Sequence, residues 1–127
     1  MQIKMNEVLS FQFFYTEVKN KSLPIKTAYK FTKLFNKVEE ELKFYQEQIV
    51  KISEEYGERD SEGGLVLLES GNGIKIKPDL IEECQLKITE LLEIEVEIGE
   101  ITFSINELEG VEISIEDMNL LSKIITD

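Results

Sequence analysis

Residues 24–57 read PIKTAYKFTKLFNKVEEELKFYQEQIVKISEEYG, and this stretch decides the fold. Within it Ala28, Phe31, Phe35, Val38, Leu42, Tyr45, Ile49, Ile52 and Tyr56 recur at alternating steps of three and four. Side chains so spaced lie along one stripe of an α-helix, in the a/d register of a coiled coil. Pro24 suits a first helical turn, where its missing N–H costs little, and Gly57 suits a stop. The spacing predicts one helix over 24–56. At ~1.5 Å per residue it would span ~50 Å, whereas a globule of this chain length has a radius of gyration of ~14 Å. Part of the stripe therefore needs a partner: a helix of the same chain, a second subunit or both. Phe31, Phe35, Val38, Leu42, Tyr45, Ile49, Ile52 and Tyr56 form the candidate interaction seam. Its aromatic content points to packing against something broader than one facing helix.

On the N-terminal side, Ile3 and Met5 alternate with polar residues and suggest a short edge strand. Asn6 then reads as an N-cap with Glu7 in the first turn. Val8, Phe11, Tyr15 and Val18 give the apolar face of a helix ending near Lys19, widened by Phe13 and Phe14. On the C-terminal side, 57–64 is a polar loop. Leu65–Leu68 and Ile74–Lys77 read as a β-hairpin turning at Asn72-Gly73. Pro78 and Asp79 open a second helix with Ile81, Cys84, Ile88 and Leu91 on one face, expected to fold back antiparallel on the long one. Ile94–Ile98 and Ile101–Ile105 alternate strictly and read as strands, with a third at Val111–Ile113. Ser114 caps a final helix carrying Met118, Leu121, Ile124 and Ile125. The expected fold is α+β and mainly helical, in one domain over 1–127. It has an N-terminal helix (1–21), a helical hairpin (24–93) with a β-hairpin insert at 65–77, and short strands with a last helix (94–127).

Charge is unevenly spread. Of 127 residues, 26 are acidic and 14 basic, for a formal charge of -12. Residues 1–57 hold nine Lys against eight acids, and 58–127 hold five basic residues against eighteen acids. Lys19, Lys21, Lys26, Lys30, Lys33 and Lys37 form a run without an acid between Val18 and Val38. Two readings compete: a solvated face that offsets the acidic half, or a phosphate-facing patch at Lys26, Lys30, Lys33 and Lys37. The run has no Arg for bidentate phosphate contacts, and the net charge repels polyanions at long range. The acidic half itself permits mimicry of DNA.

The chain has no His, no Trp and one Cys, which excludes a His-based triad, a His-ligated metal and an intramolecular disulfide. Cys84 sits in the apolar phase of its helix beside Glu82 and Glu83, an environment that raises a thiol pKa and suits a buried hydrophobe. The Glu39–Glu41, Glu54–Glu55 and Glu82–Glu83 groups diverge around a helix. Glu95 and Glu97 share a strand face about 7 Å apart, without the ligand pattern of a Ca²⁺ loop. Gly71 and Gly73 lack the Gly-Lys-Ser/Thr ending of a phosphate loop. No catalytic, metal or cofactor residue is assigned, and the chain is read as a non-enzyme. A signal peptide and a membrane span are not expected, and the single Cys fits a reducing cytosol.

Ser22–Lys30, the Glu54–Asp60 segment and the Glu107–Ser114 stretch before the last helix together resemble an uncharacterised family of short bacteriophage proteins, found in siphophages and prophages of Gram-positive bacteria. The aromatic-rich Phe11–Tyr15 departs from that family. The resemblance implies a viral protein of the host bacterial cytoplasm or of the virion, and brings no site residue with it. The function expected is an oligomeric protein-interaction module without a cofactor: an assembly factor, a minor structural protein or an inhibitor of a host protein. Its partners would be further copies of itself and a phage or host protein. The alternative is an anti-defence protein that sequesters a nucleotide signal or mimics DNA.

Overall fold

A computed structural model describes residues 1–126. Among the described residues the chain is mainly helical, with four α-helices and one small antiparallel two-stranded sheet. Length alone suggests one domain; the chain gathers into two compact units, Met1–Leu42 with the segment from Glu95 onward, and Lys43–Ile94. The helix α2, Ile25–Tyr56, contributes to both.

In the first unit, β1 (Gln2–Lys4) pairs antiparallel with β2 (Glu95–Glu97), with Ile3 opposite Val96. Both central residues are buried and their neighbours exposed, the period-two pattern of a half-covered strand. Helix α1 (Met5–Val18) follows β1 without a loop. Its N-cap is Lys4, two residues before the expected Asn6, and the Glu7 carboxylate accepts the Lys4 backbone N–H at 3.0 Å. Its buried face is Met5, Val8, Phe11, Phe14 and Val18. Tyr15 lies on the exposed side instead and Phe13 is 72% exposed. The run Phe11–Tyr15 holds more apolar residues than one helical face can bury, so periodicity alone does not fix its register.

The core of this unit is aromatic. Phe31 and Phe35 of α2 stack at 5.6 Å, Phe14 lies 5.8 Å from Phe31, and Phe103 lies 4.6 Å from Phe31. Ser114 caps α4 (Ile115–Leu121) as expected, its hydroxyl accepting the Asp117 N–H at 3.1 Å. Leu121 and Ile124 are buried. The strands expected at 101–105 and 111–113 do not form ladders. Phe103 makes a single parallel bridge to Ile125. Ser104 then starts a 3-10 turn, Ile105–Leu108, closed by reciprocal Ser104–Glu107 bonds of 3.0 and 3.3 Å. The alternation at 101–105 is cut short by this capping box.

The second unit contains the end of α2, the segment 57–77, a 3-10 turn Pro78–Leu80 and helix α3 (Ile81–Leu92). The expected pairing of 65–68 with 74–77 is present only as one antiparallel bridge, Leu67–Ile74, with the Leu68 N–H on the Gly73 carbonyl at 2.9 Å and the Lys75 N–H on the Val66 carbonyl at 2.8 Å; two further isolated bridges, Gly57–Ile76 and Arg59–Leu65, flank it. The turn falls at Gly71 (φ +75°), not at Asn72-Gly73. Asn72 avoids the left-handed conformation that the expected turn type requires. Gly57 ends α2 for a steric reason. A Cβ there would lie 2.3 Å from the Ser53 carbonyl oxygen and 2.6 Å from Leu65 Cδ2.

Candidate interaction surfaces

The seam along α2 is covered unevenly. Phe31, Phe35, Val38 and Leu42 are buried in the first unit, against Phe14, Tyr15 and Phe103 among others. Their aromatic character serves an intramolecular cluster there. Further along, Tyr45, Ile49 and Ile52 are only half-buried. Tyr56 at the helix end is buried again, and its hydroxyl donates to the Glu83 carboxylate of α3 at 3.1 Å. Burial and this acceptor push its pKa up to about 12.

The second unit carries little buried apolar surface. Among the described residues of Lys43–Ile94, the apolar side chains buried are Tyr56, Cys84 and Leu91. Phe44, Val50, Leu67, Leu68, Ile81 and Leu86 are exposed. A cleft of about 480 Å³ lies between α2 and α3. Its α2 wall is Phe44, Gln48, Lys51, Ile52 and Glu55, and its α3 wall is Lys87, Glu90 and Leu91, with Ile94 just beyond. Counted from Phe44 and from Lys87, each set falls at offsets of three, four, seven, eight or eleven residues, which share one helical face.

In the first unit a groove of about 440 Å³ runs between α1 and α2, floored by Val18, Phe31, Phe35 and Leu42 and edged by Lys19, Lys21 and Glu39. Here the lysine run divides. Lys30 is half-buried: its ammonium bonds the Glu107 carboxylate and the Thr102 carbonyl, both at 2.8 Å, and lies 5.5 Å from the centre of the Phe103 ring. Lys33 sits 4.9 Å from the centre of the Tyr29 ring, Lys37 pairs with Glu40 at 3.4 Å, and Lys26 is exposed. The four candidate phosphate-facing lysines are thus not one free set, since Lys30 is engaged with the protein itself.

Glu107 is a joint that periodicity does not reveal. Its carboxylate takes Lys30 and the Ser104 N–H, while its carbonyl accepts the Thr27 hydroxyl at 2.6 Å. The Lys30 bond first, then the Ser104 bond, hold its pKa down to about 2. Lys21 also reaches the Glu112 carbonyl at 3.3 Å. The stretches 22–30 and 107–114 therefore meet in space. The Ser-x-x-Glu spacing at Ser104–Glu107 is the one sequence signal of this joint.

Cys84 is buried, and burial pushes its thiol pKa up, away from a reactive thiolate. Glu95 and Glu97 flank Val96 in β2 and are exposed, with Glu97 accepting the Gly99 N–H at 2.9 Å. Among the described residues no group of three or more His, Cys, Asp or Glu is placed to hold a metal ion, and no helix is long and apolar enough to cross a membrane. No family model, curated protein or solved structure matches the chain.

Proposed function

We propose that this protein is a non-enzymatic protein-interaction module that works as an oligomer. The observation that carries the reading is the poor coverage of Lys43–Ile94, where Tyr45, Ile49 and Ile52 stay half-exposed along a helix whose earlier seam residues, Phe31, Phe35, Val38 and Leu42, are buried. Apolar side chains in a regular helical row gain by burial, at ~25 cal/mol per Å², and a row left open within the chain is available for another surface. In this reading α2 and α3 act as a helical hairpin whose open side receives a partner. With the phage resemblance, this reading makes the module a virion assembly factor, a minor structural component or an inhibitor of a host protein, in the host cytoplasm or the virion.

Nucleotide sequestration has weaker support. Lys30, central to the lysine run, is taken up by Glu107 and Thr102. Light scattering on a sizing column, with native mass spectrometry alongside, tests the proposal. A defined oligomer of 14.7 kDa chains free of adducts is the expected result. A nucleotide-sized adduct would move the reading to sequestration, and a monomer at all concentrations would overturn it.

A further inference from the structure

Four charged side chains rim the α2–α3 cleft: Lys51 and Glu55 on α2, Lys87 and Glu90 on α3. Some charges elsewhere are met within the chain. Lys30 bonds Glu107, Lys75 lies 3.4 Å from Glu58, and Lys123 bonds Glu7. Among the described residues these four rim side chains have neither an ion pair nor a hydrogen bond, although Lys51 and Glu55 stand four residues apart on one helix, a spacing at which pairs commonly form. All four are exposed, and between them lie Phe44 (42% exposed), Ile52, Leu91 and Ile94 (39% exposed).

The rim holds two positive and two negative charges, one of each sign on each helix. That is a self-complementary arrangement. A two-fold contact sets the same patch against itself, so every charge needs its opposite within the patch. This one meets the condition, and it does so in a chain whose net charge of -12 would otherwise oppose self-association. A strongly basic partner would be better served by a rim of acids alone. We propose that the α2–α3 cleft is the contact through which two copies of this chain pair about a two-fold axis. The lysines of each copy meet the glutamates of the other, and Phe44, Ile52 and Ile94 form the dry centre over the already buried Leu91. A contact of standard size takes about 800 Å² from each copy. The half-exposed Tyr45 and Ile49, next along α2 to Phe44 and Gln48, add apolar area beside the cleft. This inference rests on the oligomeric reading above and names its surface.

A charge exchange tests it. The variant Lys51→Glu/Lys87→Glu has a rim of four acids, and Glu55→Lys/Glu90→Lys has a rim of four bases. Each should weaken self-association by about 100-fold or more, whereas an equimolar mixture should return to within about tenfold of the original affinity as a heterodimer. Native mass spectrometry separates the species, and circular dichroism checks that each variant keeps its helices. Phe44→Asp, at an exposed position that costs the fold little, should also abolish pairing. Two other outcomes would overturn the proposal and leave the oligomeric reading standing: variants that still pair alone, or variants that fail to pair even when mixed. A wild-type chain that is monomeric at high concentration would overturn both.

Discussion

The two units of this protein put the same helix to different use. In Met1–Leu42 with the segment from Glu95 onward, the α2 seam meets α1 and Phe103 and disappears into an aromatic core. In Lys43–Ile94 the same three-four repeat continues and much of it stays half-exposed. The hydrophobic pattern is equally strong in both. What differs is how much of the rest of the chain is available to cover it. A regular apolar row therefore says that a helix will bury a face, and does not say in what.

Substitutions can sharpen or break this contrast. Phe31→Ala removes a ring that touches Phe14, Phe35 and Phe103, and should cost about 3–5 kcal/mol. Ile49→Ala, about five helical turns further along the same seam, should cost only about 1 kcal/mol in dilute solution. Urea unfolding monitored by circular dichroism compares the two. Equal costs would mean that the second unit is as well packed as the first. Gly57→Ala forces a Cβ against the Ser53 carbonyl and Leu65, and should destabilise the second unit by about 2 kcal/mol. An unchanged unfolding midpoint would show that this close approach is not fixed.

The smallest effect is a pH dependence confined to the first unit. The Glu107 carboxyl is held down from its ordinary 4.5 to about 2 by Lys30 and the Ser104 N–H. A depressed carboxyl pKa stabilises the fold above the unfolded value, and that contribution is lost as pH falls from about 4.5 through about 2. Glu107→Gln should flatten the stability profile across this acid window and leave it unchanged near neutrality apart from a constant offset. Thermal melting at a series of pH values reads the slope. A slope unaltered by the substitution would remove Glu107 from the joint.

The long helix was legible because its period holds over more than 30 residues, so that no single residue could mislead. Its observed span, Ile25–Tyr56, differs from the expected one by the proline at its start. The first helix shows the opposite case: five residues, Phe11–Tyr15, include four large aromatics, and any of several faces fits them. Tertiary packing on Phe31 and Phe35 chooses Phe14 over Phe13. The strand at Glu95–Glu97 is visible from alternation, but its mate is Gln2–Lys4, at the other end of the sequence, and alternation carries no information about partners. The candidate site was legible to the same degree. The seam residues were readable as a row. Which of them the chain covers depends on Phe14 and Phe103, both distant in sequence, and the unpaired state of Lys51, Glu55, Lys87 and Glu90 depends on how α2 and α3 lie together within their unit.

In the proposed assembly a second copy covers Lys43–Ile94, whereas the α2 seam of the first unit is already buried within the chain. Amide hydrogen exchange measured by mass spectrometry across a concentration series tests it most directly. Protection of α3 and of α2 beyond Leu42 should rise with protein concentration, while that of α1, β1 and β2 stays constant. Protection that is independent of concentration in both units, or that rises equally in both, would contradict the account.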